Sequence, residues 1–329
     1  MHISKTPLRV SLFGGGTDYE DYFSHNSAGV IGGTIDKFVY TNIANLPKQS
    51  EQRFRVNYRA VESVIDPKKI KHPVIRAAVL EYAAKERLNI STMSDVTGGS
   101  GLGSSSSFTV GFLNALYGIM KHNYDNDKLW RDAVYVERKL LKEKGGIQDQ
   151  VHAAHGGFKY YKFDLNAVEK KIALSGENLS KFSSFCILIK TGESRSSSEI
   201  ATSQSSRTTT GINSEYLESM NEITKKAYEV FKKNFDRASF ISDIGSLLNE
   251  SWRLKCELGK SITSPDIEDI ILKLNSIGSY GQKLLGAGQS GYVLSLLEPD
   301  KHKLAHNIFG SDNILDFKFI EEGTKLIKI

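Results

Sequence analysis

The sequence predicts a mixed helix-and-strand protein in two parts, of α+β or α/β class, on three observations. Strand-like apolar runs and helical periodicities interleave in both halves of the chain, from Arg9–Phe13 to Gly291–Leu297. At 329 residues the chain exceeds what one hydrophobic core usually holds. No internal repeat organises it, and the best boundary lies between residues 160 and 185, giving parts 1–170 and 171–329.

The elements follow in order. Arg9–Phe13 reads as a short strand that ends in Gly14, Gly15 and Gly16, and Val30–Ala44 holds further strand-like runs around Gly32 and Gly33. Pro73–Arg87 is helical, with proline at the position where a missing N–H costs little. Phe108–Lys121 is a mostly apolar helix, buried on most sides. Asp127–Lys144 is an amphipathic helix stopped by Gly145 and Gly146. Phe158–Phe163 and Ser184–Lys190 read as strands. Thr191–Gly211 is rich in Ser and Thr and reads as a loop, either a lid or a plain solvated connection. Helical patterns cover Ser214–Asn234, Ser239–Gly259 and Pro265–Ile277, and strands follow at Gly291–Leu297 and within Leu315–Ile329.

Bulk composition excludes several classes of function. Hydrophobic residues at 40% and charged residues at 25% describe an ordinary globular protein. The net charge of +5 suits an anionic small substrate, and no dense Lys/Arg tract points to nucleic acid. Cys186 and Cys256 lie in separate segments, forming neither a disulfide framework nor a metal cluster. The first residues do not read as a signal peptide, and no run of about 18 apolar residues is present to span a bilayer. A cytoplasmic location without a membrane partner is therefore expected. The sequence does not set the oligomeric state, and a homodimer is compatible with it.

The chemistry concentrates in Thr97–Phe108, where four glycines are followed at once by four serines and an apolar run. Glycine lets backbone N–H groups approach a ligand, and a helix N-terminus carries unpaired donors. Together they make an anion site, with phosphate the usual occupant. A Gly/Ser linker would not normally run straight into Phe-Thr-Val-Gly-Phe-Leu. No Gly-Lys-Ser/Thr ends the loop, so it is not a Walker A motif, and no Val-Ala-Ile-Lys or His-Arg-Asp set makes it a protein-kinase loop. Gly286–Gly291 fits a dinucleotide fingerprint by letter, yet a strand follows it where a helix should. It reads as a tight turn where backbone meets backbone or ligand. Two acids stand out. Glu137, on the polar side of the 127–144 helix, is either a solvated surface acid or a ligand for a hard cation such as Mg²⁺. Asp149 either caps a helix or takes part in chemistry.

Three segments in order, Thr6–Tyr19, Gly98–Ser107 and Lys283–Tyr292, resemble the signatures of the GHMP kinases, the family of galactokinase, homoserine kinase, mevalonate kinase and phosphomevalonate kinase. The resemblance spans the whole chain. It implies an α+β, two-domain fold, with an N-terminal ATP-binding domain like domain 2 of ribosomal protein S5 and a ferredoxin-like C-terminal domain. Gly-Gly-Gly-Thr-Asp at 14–18 is most like the D-glycero-D-manno-heptose 7-phosphate kinases of the family. Gly-Glu-Ser-Arg-Ser at 192–196, Trp252–Lys255, Ser264–Glu268 and Gly281–Gly286 are similar to theirs as well. Galactokinases carry Glu-His where this chain has Gly15 and Gly16, which argues against plain galactose.

The resemblance implies roles position by position. ATP phosphates would lie on Gly98, Gly99, Ser100, Gly101, Leu102, Gly103, Ser104, Ser105 and Ser106. Ser105 and Glu137 would hold Mg²⁺, Asp149 would be the acid/base, and Arg9 would stand beside Asp149 and the moving phosphoryl. Asp18 would accept hydrogen bonds from sugar hydroxyls, with Gly15, Gly16, Thr17, Gly286 and Gly288 around the substrate. Arg195, Arg253 and Lys255 are candidate anchors for a substrate phosphate. One departure is plain: Gln289 and Ser290 bring two side chains into a turn that is all glycine in many relatives. The expected reaction is ATP-dependent phosphorylation of the C1 hydroxyl of a heptose 7-phosphate. The alternatives are a kinase for a free sugar such as fucose or galactose, and a non-catalytic sugar sensor on the same fold.

Overall fold

The computed structural model describes residues 1–164, 167–192, 197–233, 237–259 and 262–328. Its framework begins with β1 (His2–Phe13), a central strand whose last eight residues are all buried. A strand covered on both faces needs few exposed positions, so its alternation is hidden in the sequence. The hydroxyl and guanidinium of Ser11 and Arg9 face a cavity, and Leu8, Val10 and Leu12 enter the core. After a four-residue helix, α1 (Glu20–Phe23), the chain enters β2 (Ala28–Asn45), which pairs with β1 along nearly its whole length.

The sheet then grows around β2. The strands β3 (Phe54–Asn57), β4 (Val61–Val64) and β5 (Leu88–Ser94) extend it on one side, with α2 (Pro73–Tyr82) between β4 and β5. The helix α3 (Ser104–Met120) packs on β1 and β2, and α4 (Asn126–Val134) starts where the Asp125 side chain accepts the Lys128 N–H at 2.7 Å. The helix α5 (Gln148–His155), β6 (Phe158–Phe163) and β7 (Val168–Leu174) complete this part, β6 pairing with the first half of β2 and with β7.

The second part contains α6 (Gly176–Ser183), β8 (Cys186–Lys190), α7 (Ser197–Thr209), α8 (Ser214–Phe231), α9 (Arg237–Glu257), α10 (Pro265–Ser276), β9 (Gly281–Leu284), β10 (Tyr292–Leu296), α11 (His302–Phe309) and β11 (Ile314–Leu315). Its described strands form a sheet in the order β11-β8-β10-β9. Two last strands, β12 (Phe319–Ile320) and β13 (Lys325–Lys328), return to the first sheet, pairing with β2 and β1. Phe158 binds the parts together, its ring 5.5 Å from Phe182, 5.2 Å from Phe231 and 5.0 Å from Phe319.

Three expectations are corrected. Ser197–Thr209 is a helix, not a loop. Its hydroxyls bond back to carbonyls one turn earlier, Thr208 to Gln204 and Thr209 to Ser205, both at 2.9 Å. Such bonds make Ser/Thr-rich segments look non-helical by propensity, and burial of Gln204, Ser205 and Thr208 overrides them. The helix expected to run from Pro73 to Arg87 stops at Tyr82, and Leu88–Ser94 is a strand whose first residues alternate buried, exposed, buried. Asp127–Lys144 is not one α-helix. Beyond Val134 the backbone widens into a π-helical turn over Tyr135–Leu140, where the Leu141 N–H reaches back to the Val136 carbonyl at 3.0 Å.

Candidate active site

A cavity of about 630 Å³ is lined from both parts of the chain: β1, the loop before α3, the π turn, the start of α5, α7, α9 and the turn after β9. One contact fixes how its two glycine loops meet. Gly101 and Gly286 both take positive φ, +74° and +80°, and lie backbone to backbone. A Cβ on Gly286 would sit 2.6 Å from the Gly101 Cα, and one on Gly101 would sit 2.6 Å from the Leu285 carbonyl oxygen. No side chain fits either position without separating the loops. The turn accommodates its two side-chain-bearing residues by placing Gln289 in the left-handed region at φ 62°, its N–H on the Ile262 carbonyl at 2.9 Å.

Against this double loop stands a fork of two hydrogen bonds. Arg9 donates from Nε to Asp149 Oδ1 and from Nη2 to Oδ2, each at 2.8 Å, and its Nη1 donates to the Gly101 carbonyl at 2.6 Å. Bidentate pairing fixes the carboxylate in plane and position. The Asp149 side chain keeps 24% exposure toward the cavity while Arg9 keeps 6%. Asp18 braces the helix that carries Asp149. Its Oδ2 accepts the Gln148 N–H at 3.1 Å and its carbonyl accepts the Ile147 N–H at 3.1 Å, supplying partners to the open start of α5. Its Oδ1 accepts the Gly16 N–H at 3.0 Å, which ties the Gly15–Gly16 turn to the same carboxylate. A side chain on Gly146 would collide with this carboxylate. Burial pushes the Asp18 carboxyl above its usual range, against the pull of these two N–H groups.

Glu137 reaches the cavity from the π turn and is buried. Its Oε2 accepts from Gln150 Nε2 at 2.6 Å and from Ser106 Oγ at 3.1 Å, with Arg138 Nη1 3.4 Å away. Its Oε1 is buried with no hydrogen-bond partner among the described residues. Burial raises the Glu137 carboxyl above its usual range, opposed by Arg138. A buried oxygen without a partner is costly, so a cation there would satisfy it. Among the described residues no three His, Cys, Asp or Glu side chains cluster as a metal cage. One carboxylate with the remaining positions open to phosphate oxygens and water is the donor set Mg²⁺ commonly takes.

Residues 70–157 match the family model for the GHMP kinase N-terminal domain. Over 339 aligned positions the chain is 25% identical to the D-glycero-alpha-D-manno-heptose 7-phosphate kinase of Campylobacter jejuni, covering 99% of this chain and 98% of that protein. It is 27% identical to the mevalonate kinase of Pyrococcus abyssi over 69% of this chain and 65% of that one. The fold matches the crystal structure of a D-glycero-D-manno-heptose 1-phosphate kinase from Bacteroides thetaiotaomicron with a TM-score of 0.78 at 23% identity, covering 100% and 99% of the two chains. Residues 70–157 are thus similar to the GHMP kinase N-terminal domain, and over its whole length the chain is similar to kinases that carry it. By these matches the chain is a phosphotransferase with an alcohol group as acceptor.

The kinase cavity gathers Arg9, Gly15, Gly16, Asp18, Gly99, Gly101, Gly103, Ser104, Ser105, Ser106, Glu137, Asp149, Gly286 and Gly288 from the positions singled out in the sequence. Others fall elsewhere. Gly98, Ser100 and Leu102 are not on its wall; Leu102 is fully buried and its carbonyl accepts the Arg9 N–H at 3.0 Å. Thr17 is fully buried, its hydroxyl directed to the carbonyls of Gly14 at 2.8 Å and Gly29 at 3.2 Å, so it shapes the turn from behind. Arg253 is exposed and away from the cavity, because α9 turns Lys255 inward instead. Arg195 lies outside the described residues.

The serine beside Glu137 is Ser106, where the family pattern points to Ser105. Successive helical residues are rotated by about 100°, so only one of the two can face the π turn. Ser106 is buried toward Glu137 and Gln150, and Ser105 is exposed at the mouth of the cavity. The sequence reading also missed Lys283, buried on the wall, and Gln204, whose amide lies over Gly16 from α7. For Lys283 a signal existed: a lysine followed by two leucines beside a glycine turn.

Proposed function

We propose that this kinase transfers the terminal phosphoryl group of ATP to the C1 hydroxyl of a D-glycero-D-manno-heptose 7-phosphate, giving the 1,7-bisphosphate and ADP. The observation that carries the reading is the Arg9–Asp149 fork, set between a glycine loop at a helix N-terminus and the Gly15–Gly16 turn. The names of two relatives, a heptose 7-phosphate kinase and a heptose 1-phosphate kinase, support a heptose phosphate as acceptor.

In this mechanism the N–H groups of Gly99–Ser106 and the positive end of α3 hold the ATP phosphates. Asp149 accepts the proton of the C1 hydroxyl as its oxygen forms the new bond to phosphorus and the bond to the ADP oxygen breaks. Arg9 holds Asp149 in line and offsets charge on the phosphoryl in transit. Glu137 would hold Mg²⁺ through Oε1 with the Ser106 hydroxyl beside it, and the ion would neutralise charge on the phosphates. Asp18 fixes the acceptor turn and the start of α5 as one unit. Two unpaired cysteines, Cys186 and Cys256, fit the cytoplasm as its compartment.

A panel of heptose phosphates and free sugars, read by ADP release, tests the substrate, and phosphorus NMR of the product locates the new phosphate. Doublet resonances of an anomeric phosphate are expected with the 7-phosphate acceptor alone. Faster turnover on free fucose or galactose would replace this reading with a free-sugar kinase, and no turnover on any sugar would replace it with a sensor.

A further inference from the structure

Two lysines on the cavity wall have no acidic partner among the described residues. Lys255 on α9 and Lys283 on β9 are 8% and 2% exposed, and both line the cavity. Lys255 Nζ donates to the carbonyls of Leu284 at 2.9 Å and Gly286 at 2.6 Å; Lys283 Nζ donates to the carbonyl of Leu12 at 2.7 Å. Neither takes part in an ion pair among the described residues, although Arg9 nearby is neutralised by Asp149. An ammonium has three donors, so Lys255 keeps one and Lys283 keeps two for something else. Burying two such cations without a counter-charge is expensive, and the cost is met when a ligand brings the charge.

Their place in the fold says which ligand. In the kinase reading above, ATP lies on the loop at 99–106, one wall of the cavity. Lys283 is anchored on Leu12, two residues before the Gly14–Gly16 turn, and Lys255 on the turn after β9. The pair therefore stands between the acceptor turn and the second glycine loop. Both ammoniums are held by main-chain carbonyls, which fixes their direction more firmly than a flexible surface lysine allows.

We propose that Lys255 and Lys283 form the subsite that grips the phosphate carried by the acceptor, a phosphomonoester dianion. The inference deepens the kinase reading and rests on its acceptor being phosphorylated. The pair makes the cavity selective for a sugar phosphate over the free sugar; of the anchors sought in the sequence, Arg195, Arg253 and Lys255, it keeps Lys255 and adds Lys283.

The test is calorimetric titration of inorganic phosphate into the full-length protein with Mg²⁺ and a non-hydrolysable ATP analogue bound, for the wild type, Lys255→Met, Lys283→Met and the double variant. Each lost charge-assisted bond should weaken phosphate binding by roughly 10- to 150-fold. Lys283→Arg should restore part of the affinity, and thermal melting identifies any variant that has not folded. In steady state the single variants should raise KM for heptose 7-phosphate and leave KM for free heptose unchanged. Equal phosphate affinity in the wild type and the double variant overturns the proposal. So does loss of phosphate binding when the ATP analogue is added, because the pair would then face the nucleotide's terminal phosphoryl. If phosphate binding behaves as expected while no heptose phosphate is turned over, the subsite stands and the choice of sugar falls. Normal turnover of heptose 7-phosphate by the double variant, with KM unchanged, leaves the kinase reading intact and removes the subsite.

Discussion

The two cationic walls of the cavity treat charge differently. On one, Arg9 meets Asp149 through two bonds of 2.8 Å and Arg138 stands 3.4 Å from Glu137, so each cation has its carboxylate within the protein. On the other, Lys255 and Lys283 have main-chain carbonyls and, among the described residues, no carboxylate. A matched pair is set before any ligand arrives and serves to orient. An unmatched pair is completed by the ligand and serves to select. The difference suggests that chemistry and specificity are carried by separate side chains here, and that substitutions should separate them.

The matched wall gives the largest effect. Asp149→Asn keeps the shape but removes the proton acceptor, so kcat should fall about 10²–10⁴-fold. ATP binding, followed by fluorescence of a nucleotide analogue, should change little. Near-normal turnover would remove Asp149 from the base role and with it the comparison. Glu137→Gln comes next. It leaves a buried site without its carboxylate, so the Mg²⁺ concentration for half-maximal rate should rise by about 10–100-fold, and an unchanged Mg²⁺ titration would exclude ligation at this position.

How much of this was legible in the letters depends on what each signal is made of. The glycine loop, Arg9, Glu137 and Asp149 could be found because their chemistry sits in contiguous runs, and all meet in one cavity. The Ser105 and Ser106 assignment could not, since it turns on one helical step of rotation that no run of four serines reveals. The helix α7 was hidden because hydroxyls that bond back to their own turn lower helical propensity. Thr17 was misplaced because a motif letter does not say whether its side chain faces ligand or core. Asp18 was found, but it accepts three N–H groups from two segments 130 residues apart, a bracing task visible only after folding.

The unmatched wall should announce itself in pH. Burial lowers the Lys255 ammonium to about 8, so in the free enzyme it is charged below that pH and loses its proton as pH rises through it. The profile of kcat/KM, which reports groups of the free enzyme, should therefore step down above pH 8 with a phosphorylated acceptor and level off at the value of Lys255→Met. With a free sugar that limb should be absent, and Lys255→Met should flatten it. An alkaline limb of the same position for both acceptors would move the titration to another group and erase the contrast between the walls.

The smallest effect divides two neighbouring serines. Ser106 donates to Glu137 Oε2 at 3.1 Å and accepts from Gln150 Nε2 at 2.9 Å, whereas Ser105 is exposed and its carbonyl accepts the Thr109 hydroxyl at 3.2 Å. A single hydrogen bond contributes about 1 kcal/mol net, so Ser106→Ala should raise the Mg²⁺ requirement about fivefold. Ser105→Ala should stay within about twofold, as a surface change away from such a network does. The reverse order would return the metal-side hydroxyl to Ser105, which requires α3 to start one residue later in its rotation than it does around Gly103. Glu137 Oε2 would then be held by Gln150 Nε2, which already donates to it at 2.6 Å.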